Sequence, residues 1–537
     1  MTRGVFGILL AVAGLAVAQT PEGIPIADPL AAAKCGTCHR TDSAGNMEHL
    51  SFIRTTPEGW QQILKRMAKA KRVALNPQEE RALVTYLSDR HGLAPSEAMP
   101  IRYDAERRIY EDPNVPSDSL RTACSRCHTF GRAASARRSF DEWLSFATMH
   151  AVQFGAPLNE EALSYLTKSD PLVTPEWDEW NKRDRKKALT GRWLVTADLP
   201  GRGRFIGEMN VTPAAATGDF SAVTKLRSLS DGSTLERSST GLFYGGSAWR
   251  GDSQGAAAPA APDDPGSPAH EVISLDATQT RGEGRWFWGE YQEFGFAVTL
   301  QRPSDGPTLL GINRLSLAHG AKGQIRLVGD KFPAKIAPAD LRFGAGVTVR
   351  RIVSQTPQEI VADVEVAADA AVGTRDVSVR ASVMPAALAI YDTVDWIKVI
   401  PDSALAGFGG SRPRGYQQFE AIGYQRGPDG RVHTPDDLNL GPIDVTWSME
   451  VFYVPEGVNL DPIGKVSAGG LFIPAATSPN NNFDLWIIAT ANKEVGKNGK
   501  PLVGKAFLVV TVPEYTFGGR RYIRDLDRWN EAPPTGK

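Results

Sequence analysis

Two pentapeptides decide how this chain is read: Cys35-Gly-Thr-Cys38-His39 and Cys124-Ser-Arg-Cys127-His128. They contain all four cysteines of a 537-residue chain. Each has the form C-x-x-C-H, the attachment signature of a c-type haem. Two intervening residues set the thiols at the separation of the two porphyrin vinyl groups, and the adjoining imidazole becomes the proximal iron ligand. A Cys₄ zinc site could also be built from two C-x-x-C pairs, but it leaves both histidines without a role. A thioredoxin-like site does not call for the histidine. The expectation is two covalently bound c-type haems on Cys35, Cys38, Cys124 and Cys127, with His39 and His128 as proximal metal ligands and no disulfide.

The flanking segments repeat. Arg54-Thr-Thr-Pro-Glu-Gly-Trp60 runs on to Met67, and Arg138-Ser-Phe-Asp-Glu-Trp143 runs on to His150; each candidate ligand lies seven residues after its tryptophan. Both segments open with helix-start signals, Thr56-Pro57-Glu58 and Ser139 with Asp141-Glu142. A second helical pattern follows each, Leu75–Leu87 and Leu158–Leu166. Each half therefore reads as a small cytochrome c unit with attachment, ligand and closing helices. The alignment nominates Met67 as sixth ligand of the first haem and His150 of the second. Met47 and Met149 are their rivals, and ligation across the two units stays open. His49 and His91 read as surface residues, and the run Lys65-Arg66, Lys69, Lys71-Arg72 as a solvated helix face.

Upstream, Met1-Thr-Arg3, the apolar run Val5–Val17 and Ala16-Val17-Ala18 form a signal-peptide pattern with cleavage after Ala18. The run is shorter than the roughly 20 residues a bilayer requires. The expected location is outside the cytoplasm, with no membrane span. Lys+Arg number 60 against Asp+Glu 61, a balance that argues against nucleic acid as a partner.

Downstream of about residue 170 the pattern turns from helical to alternating. Phe294, Phe296, Val298 and Leu300 share one face with a period of two. Strands are expected at Arg204–Val211, Phe220–Leu226, Thr234–Ser238, Gly241–Tyr244, Glu271–Leu275, Gly284–Tyr291 and Phe294–Leu300, after one that begins near Trp193. Some eight short strands suit an antiparallel barrel, with the Ala/Pro-rich stretch from Gly255 as a loop inside it. Later strands come at the spacing of a sandwich. Gly427-Pro-Asp429-Gly430 with Asp436-Asp437 could be a calcium loop but reads better as a solvated turn. The β regions hold no catalytic motif, so no catalytic residue is assigned.

The expected fold class is therefore multidomain: a mainly-α dihaem cytochrome c domain followed by all-β domains. The divisions are a signal peptide (1–18), the dihaem domain (19–170, in units of about 19–95 and 96–170), an antiparallel β-barrel (171–303) and two immunoglobulin-like β-sandwiches (304–392 and 393–537). In this order the chain resembles the α subunit of quinohaemoprotein amine dehydrogenase, most specifically through the tandem C-x-x-C-H units. The resemblance implies a periplasmic heterotrimer. A small γ subunit would carry the tryptophylquinone that oxidises primary amines, and a β-propeller β subunit would help to form the active site. This chain would pass electrons to a soluble acceptor, a blue-copper protein or a cytochrome c, without oxidising amines itself. Two other readings stay open: a dihaem peroxidase-like enzyme, and a stand-alone dihaem carrier with β-sandwich interaction domains.

Overall fold

The computed structural model describes residues 23–101, 115–124, 129–155, 159–183, 189–214, 219–453, 459–496 and 498–513. The signal-peptide pattern, Cys127 and His128 lie outside them. Nine α-helices lie among the described residues, all before the barrel. The first unit has α1 (Pro29–Cys35), α2 (Pro57–Lys71), α3 (Pro77–His91) and the short α4 (Pro95–Ala98). The second has α5 (Asp118–Cys124), α6 (Phe130–Ala134), α7 (Phe140–Phe154) and α8 (Glu160–Ser169), and α9 (Pro175–Asn181) leads on to the barrel.

Local chemistry sets these ends. Asp28, Thr56, Asn76, Ser139, Asn159 and Thr174 each accept a hydrogen bond from the first turn of the helix they cap, satisfying donors that have no partner within the helix. At Asn76 and Glu79 the exchange is reciprocal. Gly155 stops α7 in the left-handed region, at φ 64°, which glycine enters without a Cβ penalty.

A two-stranded ribbon joins the units. β1 (Ile53–Thr55) pairs antiparallel with β2 (Ala136–Arg138), Arg54 opposite Arg137. These arginines hold equivalent repeat positions, each six residues before its tryptophan, so the ribbon runs along a local pseudo-two-fold.

Eight antiparallel strands then close into a barrel: β3 (Gly191–Leu199), β4 (Gly203–Pro213), β5 (Phe220–Ser228), β6 (Thr234–Tyr244), β7 (Ala248–Gly255), β8 (Ala269–Leu275), β9 (Arg281–Trp288) and β10 (Phe294–Gln301), with β10 returning to β3. Alternation turns Trp193, Phe205, Trp249, Trp286 and Phe296 into its core. Two expectations need correction. Thr234–Ser238 and Gly241–Tyr244 form one strand, and β7 had not been foreseen. Trp249 of β7 presses so close to Gly241 of β6 that a Cβ there would lie 2.6 Å from its ring, and β7 itself, Ala-Trp-Arg-Gly-Asp-Ser-Gln-Gly, carries no apolar alternation to announce it. That glycine is a close approach, not a break.

Beyond the barrel, two four-stranded sheets between Thr308 and Tyr391 face each other over one apolar core. Sheets of three, four and three strands follow between Trp396 and Thr511. Leu471, Ile473 and Tyr416 of this last region join the barrel core. The barrel also docks on the first helical unit. Tyr244, Leu242 and Ala248 complete that unit's core, Arg250 forms a buried ion pair with Glu58 of α2, and the amide of Gly245 donates to Asp89 at 2.8 Å.

Candidate haem sites

In the first unit, α1 delivers Cys35 at its last residue, and the amides of Cys38 and His39 turn back onto the Cys35 carbonyl at 3.1 and 3.0 Å. The pentapeptide is thus a compact turn with Cys38 exposed and Cys35 and His39 half-buried. Burial, with a smaller contribution from Asp28, raises the Cys35 thiol above its ordinary value. Burial and then His49 lower the His39 imidazole, favouring the neutral ring that can ligate a metal. The His49 ring stands edge-on to His39 at 5.7 Å and its Nδ1 meets Glu142 of the second unit at 2.8 Å.

The tryptophan-anchored repeat is visible in the geometry. Trp60 Nε1 donates to the carbonyl of His91 and Trp143 Nε1 to that of Asp170, both at 3.1 Å. Met67, two turns beyond Trp60 on α2, is half-buried, whereas its rival Met47 is 1% exposed inside the unit's core. On α7 the His150 ring lies 5.9 Å from Phe146. Its rival Met149 points outward, 42% exposed. Cys124 closes α5 as Cys35 closes α1, half-buried, with its thiol raised by burial.

Between the units lies a charged core that the sequence reading missed. Arg54 is buried and chelates Glu97 through Nη1 and Nη2 at 2.8 and 2.9 Å, with its face over Trp177 at 4.6 Å. Arg137 pairs with Asp170 at 2.8 Å. Burial pushes Glu97 up, but the hydrogen bonds and charge of Arg54 outweigh it and hold the carboxyl below its usual value. Burial wins at Asp170, raised to about 6 against the pull of Arg137, with Glu97 adding to the rise. Arg54 and Arg137 stand just before α2 and α7, and that shared place in the repeat was the available signal.

His91 is a correction. Expected at the surface, it is 0% exposed, and burial lowers its ring to about 4. It occupies the repeat position of Asp170, under the tryptophan. His49 is exposed as expected, and Arg66, Lys69, Lys71 and Arg72 are exposed on or just after α2. Asp437 accepts from the amides of Gly427 and Thr434 and from Trp396 Nε1, which makes that loop a capped turn.

The residues fit a covalently attached haem. In each unit a helix ends in a half-buried thiol set against apolar side chains, and in the first an imidazole follows whose protonation burial disfavours. Among the described residues no three His, Cys, Asp or Glu side chains converge to hold a metal ion, so Cys35, Cys38 and Cys124 do not gather as a zinc site requires. No helix among the described residues is long and apolar enough to cross a membrane.

Comparison with known proteins gives four family matches along the chain. Residues 26–164 match the haem-binding domain of the quinohemoprotein amine dehydrogenase alpha subunit. Residues 186–303 match its domain II, 306–392 its domain III and 397–518 its domain IV. No curated protein matches the chain. Among solved structures, EF1p2_mFAP2b bound to DFHBI is 17% identical and covers 22% of this chain and 100% of its own, at a TM-score of 0.19. The tandem Ig repeats of Dlar are 13% identical and cover 39% and 100%, at a TM-score of 0.14.

Proposed function

Because this chain belongs to the family of quinohemoprotein amine dehydrogenase alpha subunits, we propose that it is the dihaem electron-transfer subunit of a periplasmic amine dehydrogenase. It takes electrons from a tryptophylquinone on a small γ subunit, beside a β-propeller β subunit, and hands them to a soluble blue-copper protein or cytochrome c. The observation that carries this reading is the structural repeat. Trp60 and Trp143 make the same hydrogen bond in two units fused through one ribbon, each with its own C-x-x-C-H.

Cys35 and Cys38 anchor one haem, and Cys124 and Cys127 the other. His39 and His128 are the proximal ligands, Met67 and His150 the sixth. The half-burial of Met67, against the core position of Met47, supports that choice, as does the outward aim of Met149. Haem, when bound, supplies reversible one-electron storage in each unit. The chain's own residues hold the two sites in fixed relation: Arg137 stands 3.8 Å from Glu97 across the seam, and the Thr55 hydroxyl donates to the Ser135 carbonyl at 2.9 Å, which keeps the units from shifting against each other. The β domains, a barrel and two immunoglobulin-like sandwiches, act as scaffold and assembly surface. The chain alone is expected to oxidise no amine.

The test is to mature the chain alone in a host that attaches c-type haem, then count haem by pyridine haemochrome and assay amine-dependent dye reduction. Two haems and no turnover are expected; amine turnover by the lone chain would overturn the division of labour. A thioether favours ferrous iron and a second imidazole ferric iron. Met67→Ala should therefore abolish the near-infrared thioether band, while His150→Ala should keep it.

A further inference from the structure

Arg138, the last residue of β2, is a buried cation with little to hold it. It is 8% exposed, and its guanidinium lies 4.6 Å from the Phe146 ring and 5.2 Å from that of Trp143. Of its five N–H donors, one makes a long contact, Nη1 to Glu142 at 3.5 Å, and Nε meets no acceptor. Glu142 is itself shared with His49. Burial draws the guanidinium down to about 10; Glu142 resists this and Arg66 adds to it.

The other buried arginines differ. Arg54 holds Glu97 in a bidentate pair and also donates to the carbonyls of Leu172 and Gly92. Arg237 spends its donors on Ser253, Pro265 and Ser267. Removing a guanidinium from water is offset only by excellent pairing, and a single 3.5 Å contact does not provide it. Planar and fork-shaped, the group matches a carboxylate. Through Phe146 it is linked to His150, and through the ribbon it borders the first unit at Ile53.

We propose that Arg138 anchors a haem propionate at the seam between the two units. This rests on the dihaem reading, and a propionate of either haem would meet the same chemistry. Packed between two aromatic rings and the ribbon, the guanidinium keeps its free edge for that carboxylate. Its positive charge disfavours the ferric state and raises the potential of the haem it serves.

The test uses the full haem-loaded chain carrying Arg138→Gln or Arg138→Lys, with both midpoint potentials followed by spectroelectrochemistry. Arg138→Gln should keep two haems and lower one potential, leaving the other in place, and Arg138→Lys should recover part of the fall. If the haem that moves carries the near-infrared thioether band, the propionate comes from the Met-ligated haem; if not, from its neighbour. Both potentials unmoved with two haems retained would overturn the proposal. So would an equal fall in both that lysine does not restore, the mark of a merely structural role. Should Arg138→Gln fail to mature, Arg138→Lys decides: a smaller fall at one haem supports the anchor, and wild-type potentials overturn it. The wild-type haem count is a separate readout. Below two it overturns the dihaem reading, whereas unmoved potentials at a count of two overturn only the role of Arg138.

Discussion

The two helical units share a sequence pattern but not, among the described residues, a degree of burial. In the first, Met47, Trp60, Leu64, Leu83, Val84 and Leu87 belong to one continuous core that the barrel completes with Tyr244. In the second, the buried apolar residues divide between two small clusters around Phe130 and Trp143, and α7 leaves Phe140, Leu144, Met149 and Val152 exposed. The repeat specifies helices and their tryptophan anchors; what lies against each unit decides how much of its apolar face leaves water. Among the described residues, one unit is braced by a neighbouring domain, and α7 of the other carries exposed apolar side chains.

The most severe way to probe that contrast is to empty both anchors. Trp60→Ala should cost close to the top of the roughly 3–5 kcal/mol expected for a buried tryptophan, because a continuous core cannot collapse into the gap. Trp143→Ala should fall nearer the bottom. Thermal unfolding followed at each haem's own absorbance would separate them, and equal losses would break the comparison.

Next in size is the brace itself. Arg250→Met leaves Glu58 buried without its partner, a loss of about 3–4 kcal/mol. It should loosen the first unit while leaving unfolding of the second in place, a difference that limited proteolysis within α2 and α7 can read. Equal sensitivity in the two helices would mean that the barrel does not support the first unit selectively.

The equivalent positions under the tryptophans should respond to acid in opposite directions. His91 titrates near 4 in the fold against 6.5 unfolded, so its contribution is present above about pH 6.5 and is lost as pH falls toward 4, up to about 3 kcal/mol. Asp170 is raised from 3.8 to about 6, so its contribution is full below about 3.8 and is lost as pH rises through 6. In stability profiles from pH 4 to 7, His91→Gln should flatten the acid-side loss, and Asp170→Asn should remove a loss on the neutral side. Variants that bend the profile the same way would contradict the assignment.

The smallest effect belongs to the exposed face of α7. Val152, 83% exposed, should tolerate serine within about 0.5 kcal/mol. A larger loss, read by denaturant titration of the isolated chain, would show that this face is covered.

Residues whose role is local were legible from the sequence. The C-x-x-C-H spacing, the capped starts of α2 and α7 and the period of two in Phe294–Leu300 each depend on neighbours a few positions away. Residues that answer to distant partners were not. Arg250 of β7 reads as an ordinary outward charge opposite Trp249 until its partner, Glu58 of α2, is seen against it. His91 reads as polar and exposed until β1 and Trp60 close over it. Gly241 reads as the start of a new strand until Trp249, packed against it, shows one continuous β6. Arg54 and Arg137 look like ordinary charges before a helix, and only the antiparallel ribbon, which sets them face to face, gives them a shared interior.

Tyr244 carries a further consequence, one of timing. It comes from the fourth strand of the barrel, far downstream of the helices whose core it completes. A chain made from its N-terminus onward therefore presents α1, α2 and α3 well before their last core residue exists. During that interval the first unit has helices without its finished interior, and the Cys35 turn is at its most accessible. Once β6 is in place, Tyr244 closes the core against which Cys35 packs.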